Sequence, residues 1–222
     1  MKVCVLGANG FIGKNLVQDS TWVGISRKEL DLMDQDAVHT FFNKHTFDVV
    51  VHCAASIDQV SVSTTHTNIL MFENVVRAFK GKLLYFSSGA ALRGDPPTDP
   101  YGLSKWIIDR RIETIPNAHC LRVWGCYGPG ELSSRFSAIC KERGHIVIKR
   151  DKYFDFVDVM KIKEVVVRYV NCELDDKEIN LVDPHTRRLS QWAEFFGATC
   201  DIEEDGLDEP YILKIPNDYS IR

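Results

Sequence analysis

Residues Lys2 to Gly13 read KVCVLGANGFIG. Val3, Cys4, Val5 and Leu6 make a short, wholly apolar run that predicts a buried strand, and Phe11 to Val17 spaces its apolar residues as a helix does. Gly7, Gly10 and Gly13 stand around the junction. A strand that runs through glycines into a helix makes a phosphate cradle. The first glycine permits the tight turn, the second lets the backbone approach a pyrophosphate, and the third lets helix and strand pack closely. The spacing is GxxGxxG, not the GxGxxG of the commonest dinucleotide fingerprint. An α/β fold organised around a bound dinucleotide is the first expectation.

Bulk properties bound the rest. A chain of 222 residues with 45% hydrophobic content can bury one sizeable core and carry an appendage. Its net charge of −4 gives no general attraction to nucleic acid or anionic lipid. The seven cysteines are odd in number, scattered, and include no C-x-x-C pair, so neither a disulfide framework nor a zinc site is expected. No leader-like stretch precedes the first strand and no apolar run is long enough to span a bilayer, so no membrane contact and a cytoplasmic setting are expected.

Downstream, Thr21 to Ser26 reads as a second strand that delivers Ser26, Arg27 and Lys28 to the place where a dinucleotide fold meets the adenosine ribose. A guanidinium there pairs with a 2′-phosphate, whereas a carboxylate bonds the 2′-hydroxyl. Arg27 favours NADP; Asp31, at about the spacing of a ribose-binding acid, keeps NAD as the alternative. Asp34 is a plausible N-cap for a helix to Lys44. Phe47 to Val51 predicts a buried strand ending in Cys53, Ala54 and Ala55, small residues that leave room for a flat cofactor, while His52 reads as a core residue rather than a base. Asn68, on a long helix from Thr64 to Phe79, could tie backbone near the cofactor or lie at the surface. Lys82 to Phe86 predicts a strand leading to Ser87, Ser88 and Gly89, and GDPPTDP, Gly94 to Pro100, must be loop.

Tyr101 and Lys105 follow at i and i+4, so that phenol and ammonium can face one site. A cation beside a phenol lowers its pKa from about 10. Tyr101 can then act as a general acid towards a carbonyl oxygen.

GANGFIG, HCAA, Asn68, FSSGAALRG, YGLSK and LRVWGCYGPG, in that order, resemble the extended short-chain dehydrogenase/reductase family, the NAD-dependent epimerase/dehydratase type. SRKELDLMDQDAVHTFF is similar to its sugar-nucleotide reductases, such as dTDP-4-dehydrorhamnose reductase and GDP-fucose synthase. The resemblance implies a Rossmann-like doubly wound parallel sheet over residues 1–123 and a small C-terminal substrate-binding lobe over 124–222, with room to return helices or a strand to the sheet. It implies a nucleotide-sugar substrate and an NADP-dependent 4-keto reductase, with a 4-epimerase or a non-catalytic dinucleotide-binding sensor as alternatives. Cofactor contacts would come from Gly7, Asn9, Gly10, Phe11, Ile12, Gly13, Ser26, Arg27, Asp31, Leu32, Cys53, Ala54, Ala55, Asn68, Tyr101, Lys105 and Trp124; catalysis from Tyr101 and Lys105, with Ser88 or Ser87 polarising the carbonyl. The resemblance also implies a homodimer through the helix of Tyr101 and the long helix before it, which Trp106, Ile107 and Ile108 allow; a buried intramolecular role for them is equally open.

Three departures stand out. The catalytic hydroxyl expected four residues before Arg93-Gly94 falls on Gly89; Ala90 and Ala91 replace the acidic pair of the dehydratases; and Phe154, in YFDFVDV, stands where a diphosphate-binding arginine is expected. Arg135, Lys149, Arg150 and Lys152 are the substitute cations on offer. Helices are expected over Glu131 to Arg143, Ile162 to Val170 and Ser190 to Phe196, strands over Ile146 to Ile148 and Glu178 to Val182, and an exposed acidic tail over Asp201 to Asp208.

Overall fold

The computed structural model describes residues 1–214. Strand β1 (Val3–Leu6) leads through the glycine turn into helix α1 (Phe11–Val17), followed by β2 (Val23–Ile25), α2 (Gln35–Lys44), β3 (Val49–His52), α3 (Ser63–Ala78) and β4 (Lys82–Ser88). A 3-10 turn over Gly89–Leu92 precedes α4 (Pro100–Glu113) and β5 (Ala118–Val123). Then come β6 (Gly125–Tyr127), α5 (Phe136–Arg143), β7 (His145–Ile148), β8 (Tyr153–Phe154), β9 (Phe156–Asp158), α6 (Val159–Val170), β10 (Glu178–Leu181), β11 (Arg187–Arg188), α7 (Leu189–Phe195) and β12 (Thr199–Ile202).

Six strands form the central sheet in the order β10-β5-β4-β3-β1-β2, and the pairings of β1 with β2, β1 with β3, and β3 with β4 are parallel. The expected α/β, Rossmann-like sheet is therefore present. Its parallel strands are buried on both faces, which is why β1, β3 and β4 read as continuous apolar runs rather than alternating ones. Asp34 caps α2, its carboxylate accepting from the Ala37 N–H at 2.9 Å.

The chain divides into two compact units. The first comprises Met1–Arg122 with Lys163–Ile179. Its core joins Cys4, Leu6, Val50, Phe72, Val75, Tyr85, Ile108 and Ile112 across sheet and helices. The second comprises Val123–Ile162 and the described residues from Asn180 onward. It holds three two-stranded pairings, β6 with β9, β7 with β12 and β8 with β11, around an aromatic cluster of Phe156, Trp192 and Phe196. Among the described residues no helix is long and apolar enough to cross a membrane.

Several boundaries differ from expectation. The helix expected from Glu131 begins at Phe136, because the Glu131 carboxylate turns instead to the Ser137 hydroxyl and the Lys141 ammonium. The helix expected from Ile162 starts at Val159, directly after β9. Ser87 and Ser88 belong to β4 itself, and the acidic tail is partly fastened, Glu203 and Glu204 donating backbone N–H groups to Ile148 and Lys149 carbonyls. Ile108 is core, and the Trp106 indole donates to Asp95 with the Arg110 guanidinium 4.2 Å over its ring, so Trp106 and Ile108 have intramolecular roles.

Candidate active site and dinucleotide cradle

The end of β1 is shaped by two backbone demands. Gly7 sits at φ +82°, in the left-handed region that side chains disfavour, and a Cβ there would come within 2.7 Å of the Ala54 backbone nitrogen. A Cβ at Gly13 would collide with the Gly7 carbonyl. These close approaches bring the carboxyl ends of β1 and β3 and the start of α1 around one cavity of about 560 Å³. Gly10 opens α1 with no side-chain cap, so its turn presents bare backbone. A turn that presents bare backbone at a helix start beside this cavity fits the pyrophosphate of a dinucleotide.

Gly7, Asn9, Gly10, Ser26, Arg27, Asp31, Leu32, Cys53, Ala54 and Ala55 line this cavity. Leu6, Ile25, Leu30, Met33, Ser56, Thr67 and Met71 line it too, without having been singled out by the sequence. For two of these a signal existed: Thr67 and Met71 are one helical turn apart beside Asn68. Phe11, Ile12, Gly13, Asn68, Tyr101 and Lys105 belong to the same unit but not to the cavity wall, and Trp124 lies buried in the second unit. Asn68 bonds Ser56, which is part of that wall. Its side chain accepts from the Ser56 N–H at 2.8 Å and donates to the Ser56 carbonyl at 3.0 Å and the Ser104 hydroxyl at 2.9 Å, so one buried amide ties a wall of the cavity to α4.

Just after β2, Arg27 is 85% exposed and meets the Asp31 carboxylate at 3.5 Å. Asp31 also accepts from the Met33 N–H, which orients it. An exposed pair of this kind holds the guanidinium weakly. Arg27 can therefore turn to another anion.

On α4, Asp99 caps the helix by accepting from the Gly102 N–H at 2.7 Å, and Pro100 occupies the first turn, where its missing N–H is harmless. That fixes Tyr101 at the helix start, half-buried. Lys105 is 2% exposed. Its Nζ lies 5.7 Å from the Tyr101 ring centre and donates to the Tyr85 hydroxyl at 2.7 Å and the Phe86 carbonyl at 2.8 Å. Burial brings its pKa down to about 8, against the raising effect of Asp109. His52, buried, is pushed down to about 3 by the same cause and stays neutral.

The serines separate. The Ser88 oxygen caps the 3-10 turn by accepting from the Ala90 N–H at 3.2 Å. Ser87 is buried without a hydrogen bond of normal geometry, close enough to Asp109 of α4 to favour its ionised form. No hydroxyl exists at Gly89. In the second unit, Phe154 packs against Phe156 and Tyr211, and Lys149 and Arg150 are both paired with Glu204. Arg135 donates to the Cys126 carbonyl at 3.4 Å, and Lys152 lies 5.8 Å over the Phe154 ring.

A parallel sheet in this strand order, with a glycine turn at the carboxyl end of β1, defines a Rossmann-like α/β fold. The profile of the NAD dependent epimerase/dehydratase family matches residues 3–171, and the chain belongs to that family. UDP-glucose 4-epimerase of Bos taurus is 32% identical over 125 residues, 46% of this chain and 35% of that protein, so the match spans about a third of the relative's length. Methionine adenosyltransferase 2 subunit beta of Xenopus tropicalis is 22% identical over 96% of this chain and 65% of its own length. The solved dTDP-4-dehydrorhamnose reductase of Bacillus anthracis, in complex with NADP, superposes with a TM-score of 0.80 at 19% identity, covering 91% of this chain and 84% of that one.

Proposed function

We propose that the protein is an NADP-dependent oxidoreductase acting on a keto carbon of a nucleotide-linked sugar, as a 4-keto reductase. The observation that carries this reading is the pairing on one helix of Tyr101 with the buried ammonium of Lys105, in the unit that also holds the cradle. A reduced nicotinamide bound in the cradle would supply hydride. Tyr101 would give its phenolic proton to the carbonyl oxygen, so that the carbonyl becomes a hydroxyl, and the Lys105 charge would stabilise the phenolate left behind. With position 89 lacking a hydroxyl and Ser87 turned towards Asp109, Tyr101 carries the proton transfer alone, with Ser88 the remaining serine that could polarise the carbonyl.

The match to a 4-epimerase supports a second reading, in which the same sugar is oxidised and reduced again by the same groups. An epimerase recycles its nucleotide and keeps it through purification. The match over nearly the whole chain to a subunit of another enzyme supports a third, a dinucleotide-binding interaction subunit. The test is NADPH oxidation across a panel of nucleotide-linked 4-keto sugars. Turnover with at least one is expected; tight NADPH binding with no oxidation of any would overturn the reductase reading in favour of the subunit.

Cofactor choice rests on Arg27. Arg27→Ala is expected to weaken NADPH by about tenfold, the worth of one charge-assisted hydrogen bond, and to leave NADH within about twofold. Titration of both cofactors by fluorescence checks this. Equal losses would remove the 2′-phosphate from the assignment.

A further inference from the structure

The polar cluster beneath α4 contains a residue that the proposed reaction does not use. Tyr85, on β4, is 1% exposed, its ring set edge-on against Phe72 at 5.1 Å and His52 at 5.4 Å. That packing is aromatic and would be served as well by phenylalanine. The hydroxyl is what needs explaining, because a buried phenol without a partner is destabilising. Its partner is the Lys105 ammonium, 2.7 Å from the oxygen and 4.4 Å from the ring centre, so that the same side chain offers the cation both a lone pair and a π face. The Phe86 carbonyl takes a second N–H of the ammonium. Both bonds draw the lysine head towards the sheet, and the Tyr101 ring stands 5.7 Å away.

We propose that Tyr85 is a positioning residue for the Tyr101 and Lys105 pair, holding the ammonium at a fixed depth under α4 and in its charged form. The proposal rests on the oxidoreductase reading of that pair. From β3 comes His52, kept neutral by burial, and directly after it Cys53, whose thiol burial pushes up; from β5 comes Cys120, pushed up likewise. From α4 come Tyr101 and Asp109, the latter already engaged by Arg122. The Lys105 ammonium donates directly to the Tyr85 hydroxyl and to the Phe86 carbonyl.

The experiment is a pH titration of the Lys105 side-chain nitrogen by NMR in ¹⁵N-lysine-labelled protein, assigned with Lys105→Met, in wild type and Tyr85→Phe. Removing an acceptor from the charged form lowers a lysine's pKa, so Tyr85→Phe should titrate about one pH unit lower. The alkaline limb of kcat should move down with it, with NADPH binding at pH 6.5 unchanged. If the variant does not fold, 3-fluorotyrosine labelling in the Tyr101→Phe background weakens the same acceptor and should shift the titration in the same direction. A Lys105 titration identical in both proteins would overturn the role of Tyr85, whatever the turnover. A shifted titration in a protein that reduces no sugar nucleotide would uphold the role of Tyr85 and sink the oxidoreductase reading instead.

Discussion

Tyr101→Phe is expected to lower kcat by a factor of about 10² to 10⁴, the range that a positioned general acid supplies, and to leave the dissociation constant for NADPH within about threefold. The two halves of this result come from different places. The cavity is walled by the ends of β1, β2 and β3 and by α3, and Tyr101 is not part of that wall. The phenol ring can be kept while the transferable proton is removed, so the loss should fall on kcat rather than on cofactor affinity. Lys105 adds a pH signature. Its depressed pKa of about 8 means that the ammonium is charged below that pH and is lost as pH rises through it. Wild-type kcat should therefore fall on the alkaline side near pH 8, and the residual rate of Tyr101→Phe should not follow that limb, because it has no phenolate for the cation to stabilise. Stopped-flow oxidation of NADPH from pH 6 to 9.5 would read both. A Tyr101→Phe enzyme with more than a tenth of wild-type kcat would show that another group delivers the proton.

The sequence made the cofactor end legible and left the packing beneath it hidden. KVCVLGANGFIG could be read because its constraints are local: an apolar run, a turn that needs Gly7, and a helix start are all set within twelve residues. Asp34 was legible for the same reason. The strand β5 is not legible, since AHCLRV places a histidine and an arginine in what is a fully buried run. The reason lies elsewhere in the chain. His119 contacts the Asp176 carbonyl, and Arg122 is satisfied from α4 and β10. β12 escaped because TCDI is polar and half exposed, and its pairing with β7 is a matter of tertiary register. The Tyr101 to Lys105 spacing did predict a shared face. It could not reveal that the lysine reaches down to Tyr85, because the neighbour of α4 is a strand that lies about twenty residues earlier in the chain.

The same hidden layer sets the largest stability effect. Arg122 is 3% exposed on its side chain and makes paired hydrogen bonds to Glu178 of β10, both at 2.8 Å, and to Asp109 of α4 at 2.9 and 3.2 Å. Arg122→Leu is expected to destabilise the protein by about 3–5 kcal/mol, the cost of breaking a buried ion pair by removing one partner, and to lower the thermal midpoint by about 10 °C. Most of this penalty belongs to the carboxylate left behind. Burial already raises the Asp109 pKa while Arg122, Ser87 and Cys120 pull it down. Without the guanidinium it must rise further. A carboxyl with a raised folded-state pKa favours the fold below its unfolded pKa, and that contribution is lost as pH rises through the folded value. The deficit of Arg122→Leu should accordingly be largest at neutral pH and shrink towards pH 5, where Asp109 can take up a proton. Glu178, half-exposed and held below its usual range by Arg122, can turn to water and contributes less. Replacing both charges, Arg122→Leu with Asp109→Leu, should recover part of the loss, because no stranded charge remains. Urea denaturation of wild type, both single variants and the double variant, at pH 5 and pH 7.5, measures the cycle. Losses that simply add, with no dependence on pH, would mean that packing around Arg122 matters and its pairing with Asp109 does not.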